Sequence, residues 1–228
     1  MKDMTDVLSN ISKFKPRALT EKEKAEIQAE EKRKWKGRLD ESGIPPRYQG
    51  CAFEAIMRRG VIGQTAEHLA IAKAYALDFV RQKKGGHGIT FAGKPGRLKT
   101  TMAAAVGIEV LRQGHGVYFI SMPELLDKMM SMSRNADQTE LRRFDGHIRR
   151  TPLLILDDMG AEYRADWVLN KVDAIITHRY NQLLPTIITT NLTPEQIKEK
   201  YMERIYDRLR STNTLIAAGG DSLRTEAK

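Results

Sequence analysis

The sequence predicts an α/β fold built on a parallel sheet, and three observations carry that prediction. Short apolar runs alternate along the chain with longer segments of helical periodicity. The first of these runs, GITFA, leads through the glycine-containing loop GKPGRLKTT directly into a helix. A later run, LLILDD, ends in two aspartates, as expected of a buried strand that delivers carboxylates at its C-terminal edge.

Taken in order, the elements begin with a polar, lysine-rich stretch. In EKEKAEIQAEEKRKWKGRL few apolar residues, Ile27, Trp35 and Leu39, punctuate the charge, and Glu and Lys are interspersed at three- and four-residue spacing. That pattern suits an exposed helix that buries little by itself. Residues 1–41 are therefore read as a basic segment, helical or partly disordered, that either stays solvated or folds against a partner. SGIPPRY, residues 42–48, opens the main domain, assigned to 42–228, because its two prolines oppose helix and favour an extended approach. A helix fits Ala66 to Gln82, with Leu69, Ala70, Tyr75, Ala76, Phe79 and Val80 at helical spacing, and the glycines of KKGGHG end it. GITFA is the first strand and Thr100 to Arg112 a helix. VYFIS, LLILDD and PTIITTN follow as strands, and TLIAA is a candidate fifth. Alternation of this kind implies a parallel sheet covered on both faces.

Composition bounds the function. With 228 residues the chain accommodates one α/β domain and an appendage. A net charge of +9 favours polyanionic partners, nucleic acid first among them. The single cysteine, Cys51, excludes an intrachain disulfide or a cysteine-based zinc cluster, and it reads as a small buried residue in a reduced, cytoplasmic protein. No apolar run of about 18 residues is present, and MKDMTDVLSN lacks the apolar core of a secretory signal, so no membrane association is expected.

The loop Gly93-Lys94-Pro95-Gly96-Arg97-Leu98-Lys99-Thr100-Thr101 follows the phosphate-binding pattern of Gly, four residues, then Gly-Lys-Ser/Thr, with one departure. Backbone N–H groups at a helix N-terminus cradle phosphate oxygens. Lys99 is expected to reach the β- and γ-phosphates, and the Thr100 hydroxyl to bind Mg²⁺. Leu98 stands where the last glycine belongs, and it is expected to weaken binding of ATP and its hydrolysis. Asp157 is the second candidate ligand for Mg²⁺, and Asp158 the group that polarises the attacking water. Asn191, at the tip of PTIITTN, either contacts the γ-phosphate or its water, or caps the following helix. In ERIYDRLRS, Arg204 and Arg208 lie one turn apart, and one of them is a candidate arginine finger for a neighbouring subunit. Arg224, in GGDSLR, is a candidate nucleotide contact within its own chain.

The ordered set SGIPPRY, GKPGRLKTT, VYFIS, LLILDDMG, IITTN, RIYDRL and GGDSLR resembles the helicase-loader and transposition-helper AAA+ ATPases, the DnaC/DnaI and IstB-like group, over roughly residues 42 to 224. That resemblance implies a five-stranded sheet of order 5-1-4-3-2, ATP at subunit junctions and self-association into a ring or spiral. It assigns Asn191 as first sensor, Arg208 as the finger and Arg224 as second sensor. Loaders of this group hold single-stranded DNA on a helical element before the acidic strand. Here that element carries Lys128, Arg134, Arg142, Arg143, Arg149 and Arg150, suited to tracking phosphates. Met122, Met129, Met130 and Met132 in the same region are read as packing residues. The resemblance thus implies a loader that binds ATP, Mg²⁺ and single-stranded DNA and remodels a hexameric, DnaB-type replicative helicase gripped by residues 1–41. A transposition helper, or a non-hydrolysing scaffold with a degenerate loop, are the alternatives.

Overall fold

The computed structural model describes residues 19–58, 62–134, 138–162 and 165–218. The chain divides into two compact units, Met1–Arg38 and Leu39–Lys228. Among its described residues the first unit is mostly helix α1 (Glu21–Glu41), which begins with a reciprocal cap. The Thr20 hydroxyl accepts from Glu23 N (3.3 Å) while Glu23 accepts from Thr20 N (2.8 Å). Exposed pairs Glu21–Lys24 and Glu30–Lys34 lie along it, as its charge spacing predicts.

In the second unit, chain order is a 3-10 turn (Pro46–Tyr48), α2 (Phe53–Met57), α3 (Gln64–Leu77), α4 (Phe79–Lys84) and β1 (Gly88–Ala92). Then come α5 (Lys99–Arg112), β2 (Val117–Ser121), α6 (Met122–Arg134), α7 (Gln138–Arg150) and β3 (Leu153–Met159). The last elements are α8 (Asp166–Asn181), β4 (Thr186–Thr190), α9 (Pro194–Lys200), α10 (Glu203–Thr212) and β5 (Asn213–Ala217). All five expected strands are present and every pairing is parallel, in the order β2-β3-β4-β1-β5, which is 5-1-4-3-2 read from the other edge.

Alternation along the strands sorts the core. Leu154, Leu156 and Ile188 join one cluster with Leu125 and Met129 of α6, Ile148 of α7, Val172 and Ile176 of α8, and Ile205 of α10. Ile155 faces the other way, where α5 approaches so closely that a Cβ on Gly107 would meet Ile155 Cδ1 at 2.9 Å. The packing role read for the methionines holds for Met122 and Met129, both buried. Cys51 is likewise buried and free.

Two local readings differ from the structure. The helix expected over Ala66–Gln82 is broken at Asp78 (φ −99°, ψ 23°), which separates α3 from α4. SGIPPRY does approach in extended form at Pro45, but Pro46 then opens a 3-10 turn, a first-turn position where a missing N–H costs nothing. Just before it, Ser42 O accepts from Phe119 N at 2.7 Å, so the linker covers the free edge of β2.

A buried arginine ties the basic helix α7 to the sheet. Arg179 of α8 is 1% exposed, and burial works against its charge. Its guanidinium donates to the Ile148, Arg149, Thr151 and Pro185 carbonyls and to the Thr186 hydroxyl at 2.6–3.3 Å. Those bonds satisfy carbonyls at the α7 C-terminus that have no intrahelical partner.

Candidate nucleotide-binding site

The loop 93–98 leaves β1 at the C-terminal edge of the sheet, the edge where open α/β sheets bind ligands. Gly93 is required there. Its φ is +145°, and an added Cβ would meet the Ala218 carbonyl oxygen at 2.3 Å. Leu98 adopts φ 56°, ψ 16°, the left-handed conformation that glycine takes without strain. For leucine that costs roughly 1–2 kcal/mol, yet the turn forms and α5 starts at Lys99. The departure from the glycine pattern therefore strains the bend without unmaking it.

Lys99 is buried, and its Nζ donates to Gly93 O (2.7 Å), Lys94 O (2.9 Å) and Asn191 Oδ1 (2.8 Å). The lysine of the loop and the asparagine at the tip of β4 are thus in direct contact across 92 residues of sequence. Of the two readings left open for Asn191, the helix cap is taken by Thr193, which makes a capping box with Gln196.

The acidic pair sits on a bulge. Leu156 pairs with Ile188 and Met159 with Thr190, so Asp157 and Asp158 together oppose Thr189 alone. Asp158 absorbs the extra residue at φ 53°. One hydroxyl serves both aspartates: Thr189 Oγ1 donates to Asp157 Oδ1 (2.5 Å) and accepts from Asp158 N (3.0 Å). Burial raises the Asp157 pKa, and the neighbouring Asp158 charge adds to the rise. Hydrogen bonds from Thr189 and Thr100 and the charge of Lys99 oppose it. Loop, acidic pair and Asn191 therefore converge. Tyr48, in the turn after the prolines, lies within electrostatic reach of both aspartates, and burial first and then those charges raise its pKa.

Beside the loop lies a cavity of about 490 Å³, lined by Gln64, Ala92, Gly93, Lys94, Arg97, Asn191, Leu192, Thr193, Pro194, Ala217 and Ala218. That volume falls within the range of small-ligand sites.

The remaining candidates are elsewhere. Arg208 lines a pocket with Thr186 and Asn213, the first residues of β4 and β5, at the end of the sheet opposite the loop. Its Nη1 donates to Thr177 Oγ1 (2.7 Å) and Asp173 Oδ1 (3.2 Å), while Arg204 grips Asp173 with two bonds of 2.9 and 2.7 Å. On α7, Leu141, Phe144 and Ile148 face inward, and Arg142, Arg143 and Arg150 are exposed. Arg149 instead turns onto Asp145 (2.6 Å) and the Ala174 carbonyl (3.0 Å), and Lys128 pairs with Glu124 (2.8 Å). Arg224 and the Arg134 side chain lie outside the described residues.

Sequence reasoning missed Thr189 and Gln64. Thr189 carried a usable signal, since a hydroxyl inside a fully buried strand must find a partner. Gln64 carried none.

Comparison with known proteins gives the family and the fold. The family described as IstB-like ATP binding protein matches residues 19–228, and the chain belongs to that family. It is similar to the replicative helicase loader DnaC of Escherichia coli K12, 29% identical over 177 residues, 78% of this chain and 70% of that protein. The replicative helicase loader DnaI of Bacillus subtilis is 32% identical over 117 residues, 51% of this chain and 37% of that one. In fold, the crystal structure of the DnaC helicase loader superposes with a TM-score of 0.67 at 24% identity, covering 77% of this chain and all of that one. The replication initiator DnaA bound to AMPPCP and single-stranded DNA gives 0.64 at 17% identity, over 78% of this chain and 51% of its own.

Proposed function

We propose, from membership of the IstB-like ATP-binding family, that this protein is an ATP-dependent loader that remodels a hexameric, DnaB-type replicative helicase while holding single-stranded DNA. The similarity to DnaC and DnaI supports the partner. One observation carries the chemistry: Lys99 Nζ lies 2.8 Å from Asn191 Oδ1 at the strand edge that also presents Asp157 and Asp158.

In this reading residues 93–101 cradle the triphosphate and Lys99 exchanges its loop carbonyls for phosphate oxygens. Thr100 and Asp157 suit Mg²⁺. They offer two protein oxygens, and Mg²⁺ readily completes its shell with water and phosphate. The raised pKa of Asp157 is the mark of a buried carboxylate that a cation relieves. When bound, the ion neutralises phosphate charge. Asp158 orients the attacking water and Asn191 senses the γ-phosphate. Arg208 lies far from its own loop, which suits a finger acting on a neighbouring subunit in a ring or spiral. To do so it must release Asp173 and Thr177. Arg224 is assigned as the second sensor, residues 1–41 as the helicase grip, 42–228 as the ATPase domain, and Arg142, Arg143 and Arg150 as the main DNA contacts.

Two measurements test this. Immobilised protein is expected to retain the replicative helicase hexamer, and titration with labelled ATP is expected to saturate at micromolar concentrations. Retention of a transposase in place of the helicase selects the transposition helper, a reading favoured by the IstB-like match over residues 19–228. Helicase capture without ATP binding selects the scaffold with a degenerate loop.

A further inference from the structure

Just beyond the acidic pair lies a second buried charge cluster, to which the nucleotide chemistry above assigns no role. The Glu162 side chain is 1% exposed, and both of its oxygens are engaged. Oε2 accepts from Gly160 N at 2.9 Å, and Oε1 accepts from the Tyr201 hydroxyl and lies 3.4 Å from Lys200 Nζ. Lys200 Nζ also donates to the Gly160 and Glu162 carbonyls at 2.6 and 2.7 Å. A buried carboxylate is tolerated only with such compensation.

The geometry of the connected backbone says what the compensation secures. Residues 158–161 form a tight turn, closed by Ala161 N to Asp158 O at 3.1 Å. Two of its members are left-handed, Asp158 at φ 53° and Gly160 at φ 102°. For aspartate that conformation is strained, and it persists where the surroundings over-determine it. Two restraints do so. On the strand side Thr189 accepts from Asp158 N, and on the far side Glu162 holds Gly160 N. The turn is also pressed against the exit of β4, since a Cβ on Gly160 would meet Leu192 Cδ1 at 2.6 Å. Lys200 and Tyr201 end α9, and the next residue, Met202, is the N-cap of α10, which carries Arg204 and Arg208.

We infer that Glu162 is a positioning residue for ATP turnover: with Lys200 and Tyr201 it fastens the turn that aims Asp158 to the α9–α10 junction. One carboxylate thereby links the orientation of the water-activating aspartate to the start of the arginine-bearing helix. The inference rests on the ATPase reading proposed above.

The test compares wild type with Glu162→Gln and Tyr201→Phe, measuring labelled-ATP affinity, melting temperature, kcat and KM. In Glu162→Gln the oxygen that stays on Gly160 N leaves the amide N–H₂ facing the Lys200 ammonium, so the clamp loses its charge pairing and weakens. Tyr201→Phe keeps the ring and removes only the hydroxyl. The expected result is a kcat lowered about tenfold in Glu162→Gln and several-fold in Tyr201→Phe, with ATP affinity and KM within twofold of wild type. A melting temperature that falls while kcat per folded molecule stays unchanged assigns the cluster to folding alone and overturns the inference. If Glu162→Gln does not fold, Tyr201→Phe decides by the same criteria. Wild type that binds no ATP overturns the ATPase reading and this inference with it. Wild type that turns over ATP no faster than both variants overturns the positioning role alone.

Discussion

The C-terminal edge of the sheet and the outer face of α7 both concentrate polar groups, yet they are built in opposite ways. At the sheet edge the groups are held by neighbours: Lys99 and Asp157 are buried, Lys99 has three acceptors, and one threonine hydroxyl restrains two aspartates. On α7, Arg142, Arg143 and Arg150 stand in solvent above a face packed through Leu141, Phe144 and Ile148. The difference follows from the partners. Phosphoryl transfer demands donors fixed to fractions of an ångström before the reaction starts. Tracking a nucleic-acid backbone demands charge that is free to meet phosphates wherever they fall.

Four experiments break or sharpen this contrast. Lys99→Ala is expected to lower ATP affinity roughly hundredfold, the scale of losing charge-assisted bonds to two phosphates. Unchanged affinity in a titration with labelled ATP places the phosphates elsewhere. The triple change of Arg142, Arg143 and Arg150 to Gln is expected to leave ATP affinity intact. It should cost about tenfold in single-stranded DNA affinity and flatten the salt dependence by about two units of slope. Arg149→Gln is the control, because that guanidinium is bound to Asp145 and Ala174. It should lower the melting temperature and barely change DNA binding.

A smaller effect concerns pH. The Asp157 pKa is raised in the folded chain by burial, so the folded state holds its proton more tightly than the unfolded one. That stabilisation is complete below the unfolded pKa and disappears as pH rises through the folded pKa. Asp157→Asn is therefore expected to melt above wild type at neutral pH, by a margin that shrinks on acidification, even as turnover is lost. Melts at pH 4, close to the unfolded carboxylate value, and at pH 8 without added magnesium check the sign, and an equal margin at both refutes it. Last, Leu98→Gly relieves a left-handed leucine worth roughly 1–2 kcal/mol, and ATP affinity is expected to rise a few-fold. No change in a parallel titration means the strained loop already accepts phosphate.

Short apolar runs located all five strands: β1 is buried throughout and reads as a continuous apolar run, whereas β5 at the sheet edge buries only Ile216 and still shows as TLIAA. One continuous helix over Ala66–Gln82 is what the sequence suggests, because its apolar residues keep the 3.6 period straight through Asp78, where the backbone turns. The loop and the acidic pair were legible because their chemistry needs particular residues at short spacing. Thr189 gives only the signal that a buried hydroxyl needs some partner, without naming it, and Glu162 gives none, since a glutamate after a turn has many innocent uses. Arg149 and Arg150 look equivalent in sequence, and the hold of Asp145 and of the Ala174 carbonyl of α8 on Arg149 distinguishes them.

What the amino-acid order determined by itself is therefore local: which segments are strands, where a phosphate loop bends, and which helix face is basic. Tertiary structure decided which of those groups meet. The Lys99–Asn191 contact, the shared Thr189 hydroxyl and the Asp173 hold on Arg208 each join residues some 30 to 90 positions apart. No short-range pattern encodes such pairs, because strand order is set by how the apolar faces of the whole sheet find cover.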